Sequence, residues 1–215
     1  MGGELRYIFD KLNEGCPYIV LRNWENVLND EAYINTEEDI DILCQDKEYV
    51  INLLGASRIH KNKKRDNFFV PVGSKRVRLD IRWIGDGYYP KNWEIKMLEN
   101  RQKSTVGVYI PNREDHLFSL LYHALLQKPS LSDKYYIAIN NLYRIFKQGL
   151  LQEMSEQELL SLLYNYLQSK SYKPTIPHDP GVILNPNNIR PPYMALRRHV
   201  LLLRYCSYFK SLICR

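Results

Sequence analysis

The sequence predicts an α/β fold, with a mixed sheet and flanking helices over residues 1–110 and a helical region over residues 111–215. Three observations carry this. Short β-rich runs recur at 18–21, 39–44, 68–70 and 77–84. Helical periodicity is interleaved with them at 4–14 and 46–54. Beyond residue 112 the pattern is helical throughout, broken only by a Pro- and Asn-rich stretch.

Each element has its own warrant. Leu5, Ile8, Phe9 and Leu12 recur at i, i+3, i+4 and i+7, the stripe of an amphipathic helix, and Gly15 stops it. Tyr18-Ile19-Val20-Leu21 reads as the first strand, and a polar connection from Arg22 runs to about Glu38. Residues 39–44 form the second strand. A helix follows over 46–54 with Val50, Ile51 and Leu54 inward. Lys61 to Asn67 is a charged turn. Phe68-Phe69-Val70 and Val77 to Ile84 then read as a hairpin joined around Pro71-Val72-Gly73-Ser74. Gly85-Asp86-Gly87 is a turn, Trp93 to Arg101 a short helix, and Val106 to Ile110 a last strand.

In the second half, Asn112 caps a helix to about Gln127 that carries Glu114 and Asp115 in its first turn. Ser132-Asp133 opens another to about Lys147. Ser155 and Glu158 form a capping box for a third, ending near Ser169. Residues 171–192 are an extended arm with six prolines between Pro174 and Pro192. Residues 193–213 are a basic helix with Val200, Leu203 and Leu212 apolar and Arg197, Arg198, Arg204 and Lys210 charged.

Composition narrows the function. The net charge is +6, with basic residues crowded over 58–82 and acidic ones over 25–48. A basic cluster beside a carboxylate cluster suits a phosphate-bearing substrate. The four cysteines, Cys16, Cys44, Cys206 and Cys214, fit neither a zinc motif nor a disulfide framework, so a reducing, cytoplasmic setting is expected. Leu5 to Leu12 is interrupted by Arg6, Asp10 and Lys11, unlike a secretory leader. The apolar run Val200-Leu201-Leu202-Leu203 is far too short to span a bilayer. The basic C-terminal helix suits contact with an anionic membrane surface or a further domain. The basic residues are few for a long duplex and no helix-hairpin-helix is present, so nucleic acid is not an expected partner.

The chemistry resides in Asp39-Ile40-Asp41-Ile42-Leu43 and Val77-Arg78-Leu79-Asp80-Ile81. Side chains alternate along a strand, so Asp39 and Asp41 share a face opposite Ile40 and Ile42. Asp80 sits likewise between Leu79 and Ile81. Three carboxylates converging from neighbouring strands are what a divalent cation needs, and two such cations serve phosphoryl transfer. Arg78 and Arg82 share the face of Asp80 and either pair with the aspartates or contact phosphate. Asp86 reads as a turn residue ahead of a contact to sugar hydroxyls, and His123, set among Leu120, Leu121 and Leu125, as a satisfied core histidine.

On these residues the chain resembles the nucleotidyltransferase-fold superfamily, the DNA polymerase β-like group. It looks most like a branch associated with polysaccharide and cell-surface glycan biosynthesis. The resemblance rests on Y-I-V-L-R-N-W-E at 18–25, D-I-D-I-L at 39–43, L-D-I-R-W-I-G-D-G-Y-Y at 79–89 and P-N-R-E-D-H-L-F-S-L-L-Y-H at 111–123, and it covers about residues 15–185. It implies a nucleotidyltransferase-like mixed sheet. It also implies Asp39, Asp41 and Asp80 as catalytic metal ligands, Mg²⁺ (or Mn²⁺) as cofactor and a nucleoside triphosphate as co-substrate. The acceptor would be a sugar or sugar phosphate. Leu21-Arg22-Asn23 stands where the family carries a Gly-Ser pair. Arg22, Asn23 and Arg82 are accordingly the expected phosphate contacts. Two alternatives share the D-x-D motif: a glycosyltransferase or its accessory module acting on a nucleotide-sugar, and a catalytically degenerate nucleotide-binding scaffold.

Overall fold

The strand runs assemble into a five-stranded mixed sheet of order β1-β2-β5-β4-β3. These strands span Tyr18–Val20 (β1), Asp39–Cys44 (β2), Ser57–Arg58 (β3), Asn67–Val72 (β4) and Lys75–Trp83 (β5). The computed structural model describes residues 3–60, 65–148 and 153–213, with side chains described in the last helix as far as residue 206. The expected charged turn falls partly outside the described residues, at 61–64, as do the side chains of Lys210 and Leu212. The chain divides into two compact units, Met1–His116 with His178–Pro180, and Leu117–Pro177 with Gly181–Arg215.

In the first unit β2 and β5 run parallel, with Asp39 opposite Arg78, Ile40 opposite Leu79, Asp41 opposite Asp80 and Leu43 opposite Arg82. The other ladders, β1 with β2, β4 with β5 and β3 with β4, are antiparallel. One sheet face is apolar because every second residue is. Val20, Ile40, Ile42, Cys44, Phe68, Val70, Val72, Val77, Leu79 and Ile81 are buried there against helices α1 (Glu4–Gly15) and α3 (Lys47–Leu54). Removing one methylene-rich side chain from such a core, as in Leu79→Ala, costs about 2–5 kcal/mol. This core fixes register, since a slip of one residue would turn the aspartates inward.

The opposite face has two halves. Ile19 and Leu43 are fully buried at one end, where α4 (Lys91–Glu99) meets β1 and β2 and buries Trp93, Met97 and Leu98. Asp39, Asp41, Arg78 and Asp80 occupy the other end and are only partly buried.

Differences from expectation are local. The polar connection folds into a one-turn 3-10 helix at Trp24–Asn26 and a short helix α2 (Asp30–Tyr33). The expected strand over 106–110 shrinks to β7 (Tyr109–Ile110), paired with β6 (Gln102–Lys103), because Gly107 takes a positive φ of 90° in the turn between them. Helix α4 starts two residues early, directly after Pro90.

In the second unit lie most of α5 (Arg113–Leu126), then α6 (Asp133–Lys147), α7 (Glu156–Ser169) and α8 (Met194–Ile213). Asn112 caps α5, accepting from the Asp115 N–H at 2.9 Å, and the Ser155–Glu158 capping box opens α7. Phe118 stacks on Tyr166 at 3.8 Å. The arm is fastened by its asparagines, whose side-chain amides at Asn188 and Asn185 donate to the carbonyls of Leu125 and Pro129. Those carbonyls lie at and just beyond the end of α5, where helical partners run out. His123 is a satisfied core residue, its ring nitrogens 3.1 Å from Gln127 Oε1 and 3.1 Å from Tyr135 Oη. Among the described residues no helix is long and apolar enough to cross a membrane.

Candidate functional site

Asp39, Asp41 and Asp80 lie on one face of two neighbouring parallel strands. Asp41 and Asp80 are direct register partners, about 4.8 Å apart along the sheet. The alternation brings them together as expected, and it brings arginines with them. Arg22 forks onto Asp41, with Nη2 2.6 Å from Oδ1 and Nε 3.3 Å from Oδ2. Arg78 Nε lies 2.8 Å from Asp39 Oδ1, off the N–H direction, so neither atom completes a hydrogen bond there. Arg78 also pairs with Glu37, an almost fully exposed side chain. Arg82 Nη2 donates to Asp80 Oδ2 at 2.6 Å.

Local structure explains each placement. The Leu21 N–H donates to the Asp41 carbonyl at 2.9 Å, which fixes the root of Arg22 beside the carboxylate it holds. Asn23 then takes a left-handed conformation (φ 55°) that turns the chain out of β1. Asparagine adopts this conformation more readily than most residues. Its side chain is exposed and caps nothing.

Arg82 pairs with Asp80, one of the two roles open to it in the sequence. It is buried (3% exposed) among Asp80, Asp179 at 3.4 Å and Asp66 at 3.8 Å, with the Tyr88 ring 4.5 Å away. Three carboxylates thus surround its charge. Burial works against that charge, and Asp80 above all outweighs it, so the guanidinium is held protonated.

Asp66 and Asp179 were not visible as site residues in the sequence. Asp66 precedes β4, is fully buried, and accepts from Lys47 at 3.1 Å. Asp179 comes from the Pro-rich arm, and its neighbour His178 donates its backbone N–H to the Asp86 carbonyl at 2.7 Å. No sequence signal connects them to β5, because the contact spans a long loop and depends on burial.

The turn after β5 is held by two further acids. Asp86 accepts from the Tyr88 N–H at 2.7 Å and the Trp83 N–H at 3.4 Å, the turn role expected of it. Glu94, which the sequence did not single out, reaches back from α4 to accept from the N–H groups of Gly85 and Tyr89 at 2.7 and 3.1 Å. This turn presents Tyr88, whose hydroxyl lies 3.3 Å from Arg22 Nη2. Tyr88 thus touches two of the three arginines that hold the aspartates.

Burial dominates the electrostatics. It pushes Asp80 up to about 7, with Arg82 opposing and Asp41 reinforcing the rise. It raises Asp39 and Asp66 as well, against Arg78 and Lys47 respectively. Burial and the charge of Asp86 push Glu94 up to about 8. His116, packed on Trp24 at 4.1 Å, falls to about 4 through burial and Arg22.

As the side chains stand, no three carboxyl, imidazole or thiol groups among the described residues are arranged to hold a metal ion. Two observations nevertheless suit a divalent cation. The donor set is three carboxylates, the hard oxygen ligands Mg²⁺ prefers. One oxygen, Asp80 Oδ1, is buried without a hydrogen-bond partner, a costly state that a cation would relieve.

No protein-family model matches the chain, and no curated protein matches it. Among solved structures it is similar to the antibiotic-resistance factor ANT(2'')-Ia, with 14% identity and a TM-score of 0.40 over 78% of this chain and 90% of that one.

Proposed function

We propose that the chain is a metal-dependent nucleotidyltransferase. It would pass a nucleotidyl or related phosphoryl group from a nucleoside triphosphate to a small acceptor, a sugar or sugar phosphate of glycan biosynthesis, in the cytoplasm. The observation that carries this reading is the parallel register that sets Asp41 beside Asp80, with Asp39 on the same face.

Asp39, Asp41 and Asp80 would hold Mg²⁺ (or Mn²⁺), which when bound lowers the pKa of an attacking hydroxyl and offsets phosphate charge. Arg22 and Asn23, at the mouth of β1, are the phosphate contacts in this reading. Arg22 brings a fixed fork of donors that matches phosphate geometry. Arg82 is a positioning residue that holds Asp80 on the face. The Asp86–Glu94 turn keeps Tyr88 against Arg22 and so fixes where that guanidinium starts.

The test is turnover. Full-length protein would be incubated with Mg²⁺, each of the four common NTPs and a panel of sugar phosphates, and pyrophosphate release followed. The double change Asp39→Asn with Asp41→Asn should bring release to background while the melting transition persists. Undiminished release in that variant would remove the aspartates from the reaction. Sugar transfer from a nucleotide-sugar without pyrophosphate would favour glycosyl transfer instead.

A further inference from the structure

The three aspartates of the proposed site are each already bound to an arginine, at 2.6, 2.8 and 2.6 Å. An arginine and a divalent cation compete for the same carboxylate oxygens. Together, side by side at a partly buried face, their like charges repel strongly. A cation entering alone would leave displaced guanidinium groups next to it. A polyphosphate entering alone would meet carboxylates. Entering together, the two ligands match the two kinds of charge the face already holds.

Resting on the nucleotidyl-transfer reading, we propose that metal and polyphosphate load this site by partner exchange. The cation takes the carboxylates of Asp39 and Asp41 from Arg78 and Arg22, and the released guanidinium groups take the phosphate oxygens. Arg82 takes no part. It is 3% exposed and is shared by Asp80, Asp66 and Asp179, so its departure would strip charge from three carboxylates at once. Arg78 and Asp39 are 17% and 31% exposed, and Arg78 keeps Glu37 as a second partner outside the strand face. Arg22 keeps the Tyr88 hydroxyl as a pivot when Asp41 leaves it.

The exchange gives the arginines opposite effects on the two ligands. They oppose free metal and favour metal with phosphate. An arginine serving only to hold its aspartate would, when removed, tighten free metal without weakening the metal–phosphate complex.

The test uses the full chain, with Mn²⁺ alone and the manganese complex of inorganic tripolyphosphate as probes, by titration calorimetry. Arg78→Gln and Arg22→Gln should each bind free Mn²⁺ about tenfold tighter than the unaltered chain. Each should bind the tripolyphosphate complex about tenfold more weakly, a coupling of ordinary size between two ligands. Circular dichroism and melting would accompany each variant. Should Arg22→Gln fail to fold, Arg78→Gln decides alone, since its side chain is the more exposed. Unchanged or weaker Mn²⁺ binding, or undiminished binding of the complex, in the folded variants overturns the exchange. The double Asn variant at 39 and 41 separates the two claims. If the unaltered chain binds the complex through those aspartates while the arginine variants gain no Mn²⁺ affinity, only the exchange fails. If the complex binds equally well without the aspartates, or not at all, the nucleotidyl-transfer reading fails and takes the exchange with it.

Discussion

Replacing Arg82 by Met tests the buried charge network most sharply. Met fills much of the same volume and removes the charge. Asp66 would keep Lys47 at 3.1 Å and Asp179 would keep Arg65 at 3.8 Å, but Asp80 would lose the guanidinium it meets at 2.6 Å. Breaking a buried ion pair by deleting one partner costs about 3–5 kcal/mol, because the remaining charge is stranded. With a urea slope of about 2 kcal/mol/M, the unfolding midpoint should fall by roughly 2 M at pH 7. Trp24, Trp83 and Trp93 all lie in the first unit, so tryptophan fluorescence follows that unit by itself. Arg82 opposes the rise that burial imposes on Asp80, so without it the carboxyl keeps its proton to higher pH. The penalty should grow as pH rises above about 7 and be smaller below it, and Arg82→Lys should recover part of it. A loss below about 1 kcal/mol, the value of a solvated pair, would show that Arg82 does not hold these carboxylates.

Other outcomes follow from the same geometry. Glu94 has its pKa raised from 4.5 to about 8 by burial and by Asp86, so its folded form binds a proton that the unfolded chain releases. The stability it contributes is therefore complete below about pH 4.5 and is lost as pH rises through about 8. Glu94→Gln, neutral at every pH, should flatten that part of the melting profile between pH 5 and 9, and an unchanged slope would contradict the assignment. In the second unit, His123→Ala leaves Gln127 and Tyr135 without the ring that joins them. That change should cost about 1–3 kcal/mol in chemical denaturation with no change in KM, and a large KM effect would give His123 a role in binding.

What the sequence reveals here and what it hides have different physical origins. Strands β2 and β5 were legible because one buried face imposes strict alternation, and the alternation put Asp39, Asp41 and Asp80 on a common side. The capping signals at Asn112 and Ser155 were legible because they act over three residues. Helix α2 was missed because four residues leave no periodicity to detect, and β3 because two residues leave no alternation. The supports of the site were missed for a different reason. Asp66, Asp179 and Glu94 act across the fold, and their importance comes from burial that no local pattern announces. Arg78 and Arg82 stand out in the sequence as neighbours of Asp80, and Arg22 as a phosphate contact. Only the structure shows that each holds an aspartate, and that Arg22 and Arg82 are buried while Arg78 is the most exposed of the three.

The central claim is that the β2–β5 face gathers a cation between its aspartates. Crystals grown with Mn²⁺ and tripolyphosphate, measured at the manganese absorption edge, test it directly. The expected result is an anomalous peak within bonding distance of Asp39, Asp41 and Asp80, with Arg78 and Arg22 turned from the carboxylates toward phosphate. A map with no manganese at this face, and all three arginine–aspartate pairs intact beside bound tripolyphosphate, would contradict it.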